Sequence, residues 1–289
     1  MNDDRNILEY LLIFLKGGAM GICDIIPGVS GGTIALITGI YERLVTAIGN
    51  IRPRAVVSLA RRDWDGVRAA VAAVDPKFLI TLGAGIGAAA LLMANIILLL
   101  LEWYAVPTYA FFFGLIIASS ALILLEVEER TTKVWLFLVA GFAGGFLIAG
   151  LSPSSLGHSL PILFLTGMVA LCAMILPGIS GAYLTLLLNQ YEYLLNAVKT
   201  LSLPDIIAYM AGGVVGLLLF SKALKYLLRH HHGIMLGFLT GLMLGSTRLL
   251  ADTIGAAGGF DMQAWLFTAV GIAVIVLMEW ARRRFAAGR

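Results

Sequence analysis

The sequence predicts an all-α polytopic membrane protein made of two inverted-topology repeats, each a re-entrant, broken helical hairpin followed by three transmembrane helices. Three observations predict it. Of the 289 residues, 60% are hydrophobic and 13% charged, with a mean hydropathy of +0.94, and several runs reach the roughly 20 apolar residues that cross a hydrocarbon core of about 30 Å. Pro27-Gly28-Val29-Ser30-Gly31-Gly32 returns as Pro177-Gly178-Ile179-Ser180-Gly181-Ala182, 150 positions later without a gap. Lysine and arginine, finally, fall almost wholly on one side of the topology that this duplication implies.

The first repeat occupies residues 1–151. Its hairpin, 7–49, is apolar apart from Glu9, Lys16, Asp24, Glu42 and Arg43, and is interrupted by the Pro-Gly motif. Proline and glycines inside an apolar run break a helix, and backbone left unpaired in hydrocarbon costs several kcal/mol unless protein or a water-filled cavity covers it. Repeating that cost at an equivalent place points to a site. The basic stretch from Asn50 to Lys77 reads as a surface-lying segment, and spans are expected at 78–101, 107–125 and 134–151. The first has Gly83, Gly85 and Gly87 for close helix contact, and Trp103 and Tyr104 mark an interface. The second repeat, 152–289, follows the same order, with a hairpin at 161–198 and spans at 205–228, 234–250 and 263–280. From Ile25 to Ile48 against Ile175 to Val198, ten of 24 positions are identical. Gly114-Leu115 to Ser119 returns as Gly241-Leu242 to Ser246, so the duplication reaches past the breaks.

A hairpin that returns plus three crossings is an odd count, so the second repeat enters from the opposite face. With the N-terminus inside, 16 of the 20 basic residues lie inside and only Lys199 and Arg248 outside, Lys16 and Arg43 belonging to the first hairpin. The expected location is therefore a bacterial or archaeal plasma membrane, multi-pass, with both termini cytoplasmic. The net charge of +3 comes from these loop cations and carries no nucleic-acid signal. The acidic start, Asn2-Asp3-Asp4, lacks the basic opening and cleavage site of a secretory signal. Cys23 and Cys172 sit just before the breaks and read as small packing residues.

Broken helices in inverted repeats are the sequence pointer to a transporter with a midplane site. Ser30 and Ser180 suit helix N-caps; Gly31, Gly32 and Thr33, or Gly181, Ala182 and Tyr183, are then expected to present free backbone amides. Amides at the positive end of a helix dipole favour phosphate or carboxylate. The same residues fit the G-x-S-x-G pattern of a serine nucleophile, but that reading needs a base, and the histidines, His158 and His230 to His232, fall in predicted loops and at a helix end. Three adjacent histidines splay apart, so no metal site and no cofactor is expected.

Charges inside a membrane run are functional candidates. Asp24 precedes Pro27 by three residues and has Met174 opposite it in the second repeat; a coupling role and a capping role both stay open. Glu42 and Glu192 are the symmetric pair, open to coupling or to snorkelling. Arg43 and Lys16 can neutralise a phosphate or reach headgroups. Arg248 is basic on the outer side, against the charge bias, and is expected to meet a headgroup.

Around Lys16-Gly17 to Tyr41, with Pro-Gly-Val-Ser-Gly-Gly-Thr at its centre, and again at Leu176-Pro177-Gly178-Ile179-Ser180-Gly181, the chain resembles the bacterial and archaeal polyprenyl-phosphate transporters of the PopT type. The resemblance implies a flippase that returns undecaprenyl phosphate from the outer to the inner leaflet for cell-wall synthesis, with Asp24, Pro27 to Thr33, Pro177 to Gly181 and Arg248 as its motif positions. The partners it implies are undecaprenyl phosphate or a related polyprenyl phosphate and membrane lipids. The sequence leaves open a proton or sodium ion for coupling, and a homodimer. The alternatives are an ion-coupled secondary transporter of a small soluble anion and, behind it, an intramembrane serine hydrolase.

Overall fold

The computed structural model describes residues 2–26, 29–51, 63–127, 129–153 and 156–287. Pro27 and Gly28 of the first motif, with Arg52, Arg54, Arg61, Arg62 and Arg289, lie outside the described residues. Those described form helices and short connections: α1 (Asn2–Ile25), α2 (Gly31–Ile37), α3 (Tyr41–Gly49), α4 (Trp64–Val74), α5 (Pro76–Trp103), α6 (Ala105–Glu126), α7 (Thr132–Ala149), α8 (Leu160–Ile175), α9 (Gly181–Leu187), α10 (Tyr191–Lys199), α11 (Leu203–His230), α12 (His232–Ala256) and α13 (Met262–Ala287). Among them α5, α6, α7, α11, α12 and α13 are long and apolar enough to cross a membrane. They overlap the six segments in which spans are expected from the sequence. Two of these helices run well past the expected ends: α12 continues beyond Leu250 to Ala256 and α13 beyond Trp280 to Ala287. The apolar face of α12 persists through the fully buried Ile254, and its charges Arg248 and Asp252 pair at i, i+4.

The hairpins depart further from expectation. A single arm was expected from Gly31 to Gly49, but each hairpin has a second interruption, at residues 38–40 and again at 188–190. Both helices close with the same cap: Ile40 N–H bonds to Ala35 O and Gly39 N–H to Leu36 O, while Gln190 N–H bonds to Thr185 O and Asn189 N–H to Leu186 O. This double bond pattern is a Schellman turn, which needs one left-handed residue. Gly39 (φ +72°) and Asn189 (φ +55°) supply it, and glycine and asparagine are the residues that enter that region at least cost. The seven-residue α2 and α9 are each about 10 Å long at 1.5 Å per residue. Between the first hairpin and α5, α4 is capped by Asp63, whose carboxylate accepts from Gly66 N–H at 3.0 Å, and Asn50 ties its far end by donating to Ala73 O at 2.6 Å.

The chain gathers into two compact units, one of Met1–Ala94 with Ser152–His231 and the other of Asn95–Leu151 with His232–Arg289. In the first, α1 crosses α5 and α8 crosses α11 through bare backbone. A side chain at Gly17 would run into the Leu82 carbonyl and one at Gly85 into that of Phe14; Gly167 and Gly212 stand in the same way against Tyr209 and Phe164. The second unit repeats the arrangement, with Gly114 against Thr268 and Gly271 against Phe111 between α6 and α13, and Gly241 against Leu138 and Gly141 against Phe238 between α12 and α7. With little hydrophobic drive between helices in lipid, such small-residue crossings supply the close packing that holds them. Each unit thus draws helices from both sequence repeats.

Candidate functional site

Both breaks lie in the first unit, and they touch. Ser30, 1% exposed, has extended backbone (φ −116°, ψ 131°) and caps α2 by accepting from Gly32 N–H at 3.2 Å. Its own proton goes across to the second break, to Leu176 O at 3.1 Å. In return Gly178 N–H donates to Thr33 Oγ1 at 2.9 Å. Gly32 permits this approach, because a Cβ there would stand 2.7 Å from the Ile175 carbonyl oxygen. Ser180 caps α9 through Tyr183 N–H at 3.4 Å. Backbone groups freed by the interruptions therefore find partners in the opposite hairpin, as buried polar groups must.

The two helix starts are not equivalent, and here the expectation of free amides is corrected at Gly31, Gly32 and Thr33, as it is at Tyr183, whose N–H donates to the Ser180 hydroxyl. Gly31 N–H donates to Asp24 Oδ1 at 2.7 Å, Gly32 N–H to Ser30 Oγ at 3.2 Å, and Thr33 N–H to Ser30 O at 2.9 Å. Asp24 stands where an incoming anion would, since a carboxylate at a helix start satisfies the orphan amides and the dipole together. Met174, its counterpart, has no such oxygen. Among the described residues no hydrogen bond engages the Gly181 or Ala182 amide. Beside them opens a cavity of about 320 Å³ whose polar lining comes from Asp24, Ser180, Thr185, Tyr191 and Tyr209. Thr185 Oγ1 donates to Gly181 O at 2.8 Å, so at 3.1 Å the Tyr209 hydroxyl is the donor to Thr185. Asp24 is the one carboxylate in that lining.

The other candidates are held elsewhere. Arg43 pairs with Glu9 at 3.1 Å and Asp75 at 2.8 Å and lies over the Phe78 ring at 4.4 Å, which ties α3 to α1 and α5. Lys16 Nζ donates to Thr38 O at 2.7 Å, a cation on the carbonyl end of α2. Glu42 and Glu192 are exposed, each the second residue of its nine-residue helix. Arg248 belongs to the second unit; it donates to Phe146 O at 3.1 Å, covers the Phe146 ring at 4.3 Å and reaches Asp252 at 3.4 Å, closing the last turn of α7. Neither arginine has its guanidinium among the residues lining the 320 Å³ cavity.

Residues 20–253 match the model of the VCA0040-like family, described as undecaprenyl phosphate translocase-like. The chain belongs to this family. It is 41% identical over 241 residues, 83% of this chain and 77% of the relative, to a polyprenyl-phosphate transporter of Vibrio cholerae serotype O1. A polyprenyl-phosphate transporter of Staphylococcus aureus is 33% identical over 250 residues, covering 80% and 83% of the two chains. No solved structure matches.

The stretch shared with the translocase-like family holds both breaks and the whole lining of the cavity beside the second. Two groups in it escaped sequence reasoning. Tyr209 sits on α11 without polar neighbours in sequence, and only the crossing at Gly167 and Gly212 turns it to Thr185. Gln190 replaces an apolar Ile40; its Nε2 donates to Gly157 O at 2.7 Å and Leu188 O at 3.1 Å. That fixes its amide, so His158 Nδ1 is the donor to Gln190 Oε1 at 2.9 Å. Gln190→Leu is expected to lower stability by about 1 to 3 kcal/mol through the orphaned carbonyls, and to speed hydrogen exchange in residues 156–159; unchanged exchange there contradicts the assignment.

Proposed function

We propose that this protein is a carrier, not an enzyme, that moves polyprenyl phosphate, naturally undecaprenyl phosphate, from the outer to the inner leaflet of a bacterial or archaeal plasma membrane, returning the lipid carrier to cell-wall synthesis. The observation that carries the reading is the direct bonding of two helix breaks beside a hydroxyl-lined cavity, in a chain whose relatives are named for polyprenyl phosphate. In this reading the hairpins are re-entrant, since an α2 or α9 of about 10 Å covers a third of the hydrocarbon. The charge bias supports cytoplasmic termini and an inverted second repeat.

The phosphate sits at the start of α9. There the Gly181 and Ala182 amides and the Ser180 hydroxyl meet its oxygens, with Thr185 and Tyr209 lining the cavity beside them, and charge-assisted bonds of this kind contribute about 1.5 to 3 kcal/mol each. The prenyl tail stays in apolar surroundings while the headgroup crosses. Arg43 and Arg248 steady helix ends. Asp24 carries the coupling proton, because a phosphate beside it favours its neutral form.

The test is translocation of labelled undecaprenyl phosphate by purified protein in liposomes. Wild type is expected to move it, and Ser30→Ala with Ser180→Ala to slow it by about tenfold or more, each lost cap weakening its helix start by about 1 kcal/mol. A wild type that leaves the lipid in place, or a double variant as fast as wild type, defeats the reading. Inhibition by millimolar inorganic phosphate favours a carrier of small soluble anions.

A further inference from the structure

The geometry points to a second binding site: a groove on the second unit, between α6, α13 and the last turns of α5, that holds a stretch of the polyprenyl tail. It encloses about 590 Å³, the size of a small-molecule site. Along α13 its wall is Gln263, Phe267 and Val270, a single face at i, i+4 and i+7 that spans about 10 Å. From α6 come Phe111 and Phe112, and at the helix starts Tyr104. The polar groups Tyr104, Gln263 and, in the first turn of α6, Thr108 therefore lie toward the helix starts, and the Phe111, Phe112 and Phe267 rings lie deeper. No charged residue lines the groove, so its body takes an uncharged apolar chain and rejects a phosphate.

An isoprenoid suits this lining better than a saturated acyl chain. Its trisubstituted double bonds leave fewer freely rotating bonds per carbon, so ordering it against fixed rings costs less entropy. Its flat alkene units also pack on aromatic faces. Gln263, Phe267 and Val270 fall beyond residue 253, where the family match ends. The inference rests on the proposed substrate and adds where its tail is held.

The probe is farnesol bearing a diazirine, applied to the full chain in phospholipid nanodiscs, with labelled peptides read by mass spectrometry. Labels are expected on Phe111–Phe112 or Phe267–Val270, with farnesol competing about tenfold better than hexadecanol. Undecaprenyl phosphate is expected to displace the probe. Val270→Trp, at a half-exposed position, should reduce labelling at least as much; Phe267→Ala, which removes a ring without overfilling the groove, should erase the preference over hexadecanol. Equal competition by hexadecanol marks an ordinary lipid contact and overturns the proposal, as do labels confined to other helices or variants that label like wild type. If undecaprenyl phosphate is transported in liposomes yet fails to displace the probe, the groove assignment falls and the transport reading stands. If it is neither transported nor able to displace the probe, both fall.

Discussion

Gly32→Val is expected to separate the two hairpins and abolish transport. The new Cβ would meet backbone that has no room to yield: the Ile175 carbonyl oxygen at 2.7 Å, with the Ile175 carbonyl carbon and the Met174 oxygen both at 3.2 Å. Relief requires moving α8 from α2, which breaks the bonds from Ser30 to Leu176 and from Gly178 to Thr33. Buried polar groups left unpaired cost about 1 to 3 kcal/mol each, so a loss on the order of 3 to 5 kcal/mol is anticipated, read as a fall in the midpoint of thermal unfolding in detergent. A companion change, Gly83→Ala, meets no neighbouring atom within 4 Å and should leave the midpoint alone. If Gly32→Val unfolds at the same temperature as Gly83→Ala, the contact between the breaks does not hold the hairpins together.

Asp24→Asn changes the charge at the site while keeping its shape. The amide oxygen can still accept from Gly31 N–H, as Asp24 Oδ1 does at 2.7 Å. What disappears is repulsion between a carboxylate and a bound phosphate. At a separation of about 5 Å and an effective dielectric of about 20 that repulsion amounts to roughly 3 kcal/mol, on the order of a hundredfold in affinity. On the proposed coupling role, wild type binds a proton at Asp24 when it holds phosphate, so its affinity for undecaprenyl phosphate should fall as pH rises, whereas the asparagine variant should bind tightly and without that pH dependence. Its turnover should nevertheless drop, and a transmembrane pH gradient should no longer accelerate it. Binding measured between pH 6 and 9, beside flipping with and without a gradient, decides this. A variant with the pH profile of wild type removes Asp24 from the coupling step.

The repeat was legible because it is written in residues with few substitutes. Proline, glycine and serine at fixed spacing mark a break in any apolar run, and the observed helices restart at Gly31 and Gly181 and again at Tyr41 and Tyr191, in the register that the sequence displays. The six long helices were equally plain, since length and hydropathy define them without reference to packing. The Schellman turns were missed because Gly39 and Asn189 are different residues with one conformational role. Asp24 was recognised as a charge, but its bond to Gly31 depends on how the chain folds back through the break, and no periodicity encodes that return. Tyr209 reaches the cavity only through a crossing of α8 and α11 whose partners are more than 40 positions apart. The motif on α12 was visible too, but not that α7 would offer the Phe146 carbonyl to Arg248.

Because neither compact unit can be completed from residues 1–151 or 152–289 alone, the glycine faces of α6, α7, α12 and α13 in a half-length chain stay bare until a second chain covers them. Severing the present chain in the connection after Leu151 and coexpressing the fragments should rebuild the assembly, while either fragment made alone should be degraded.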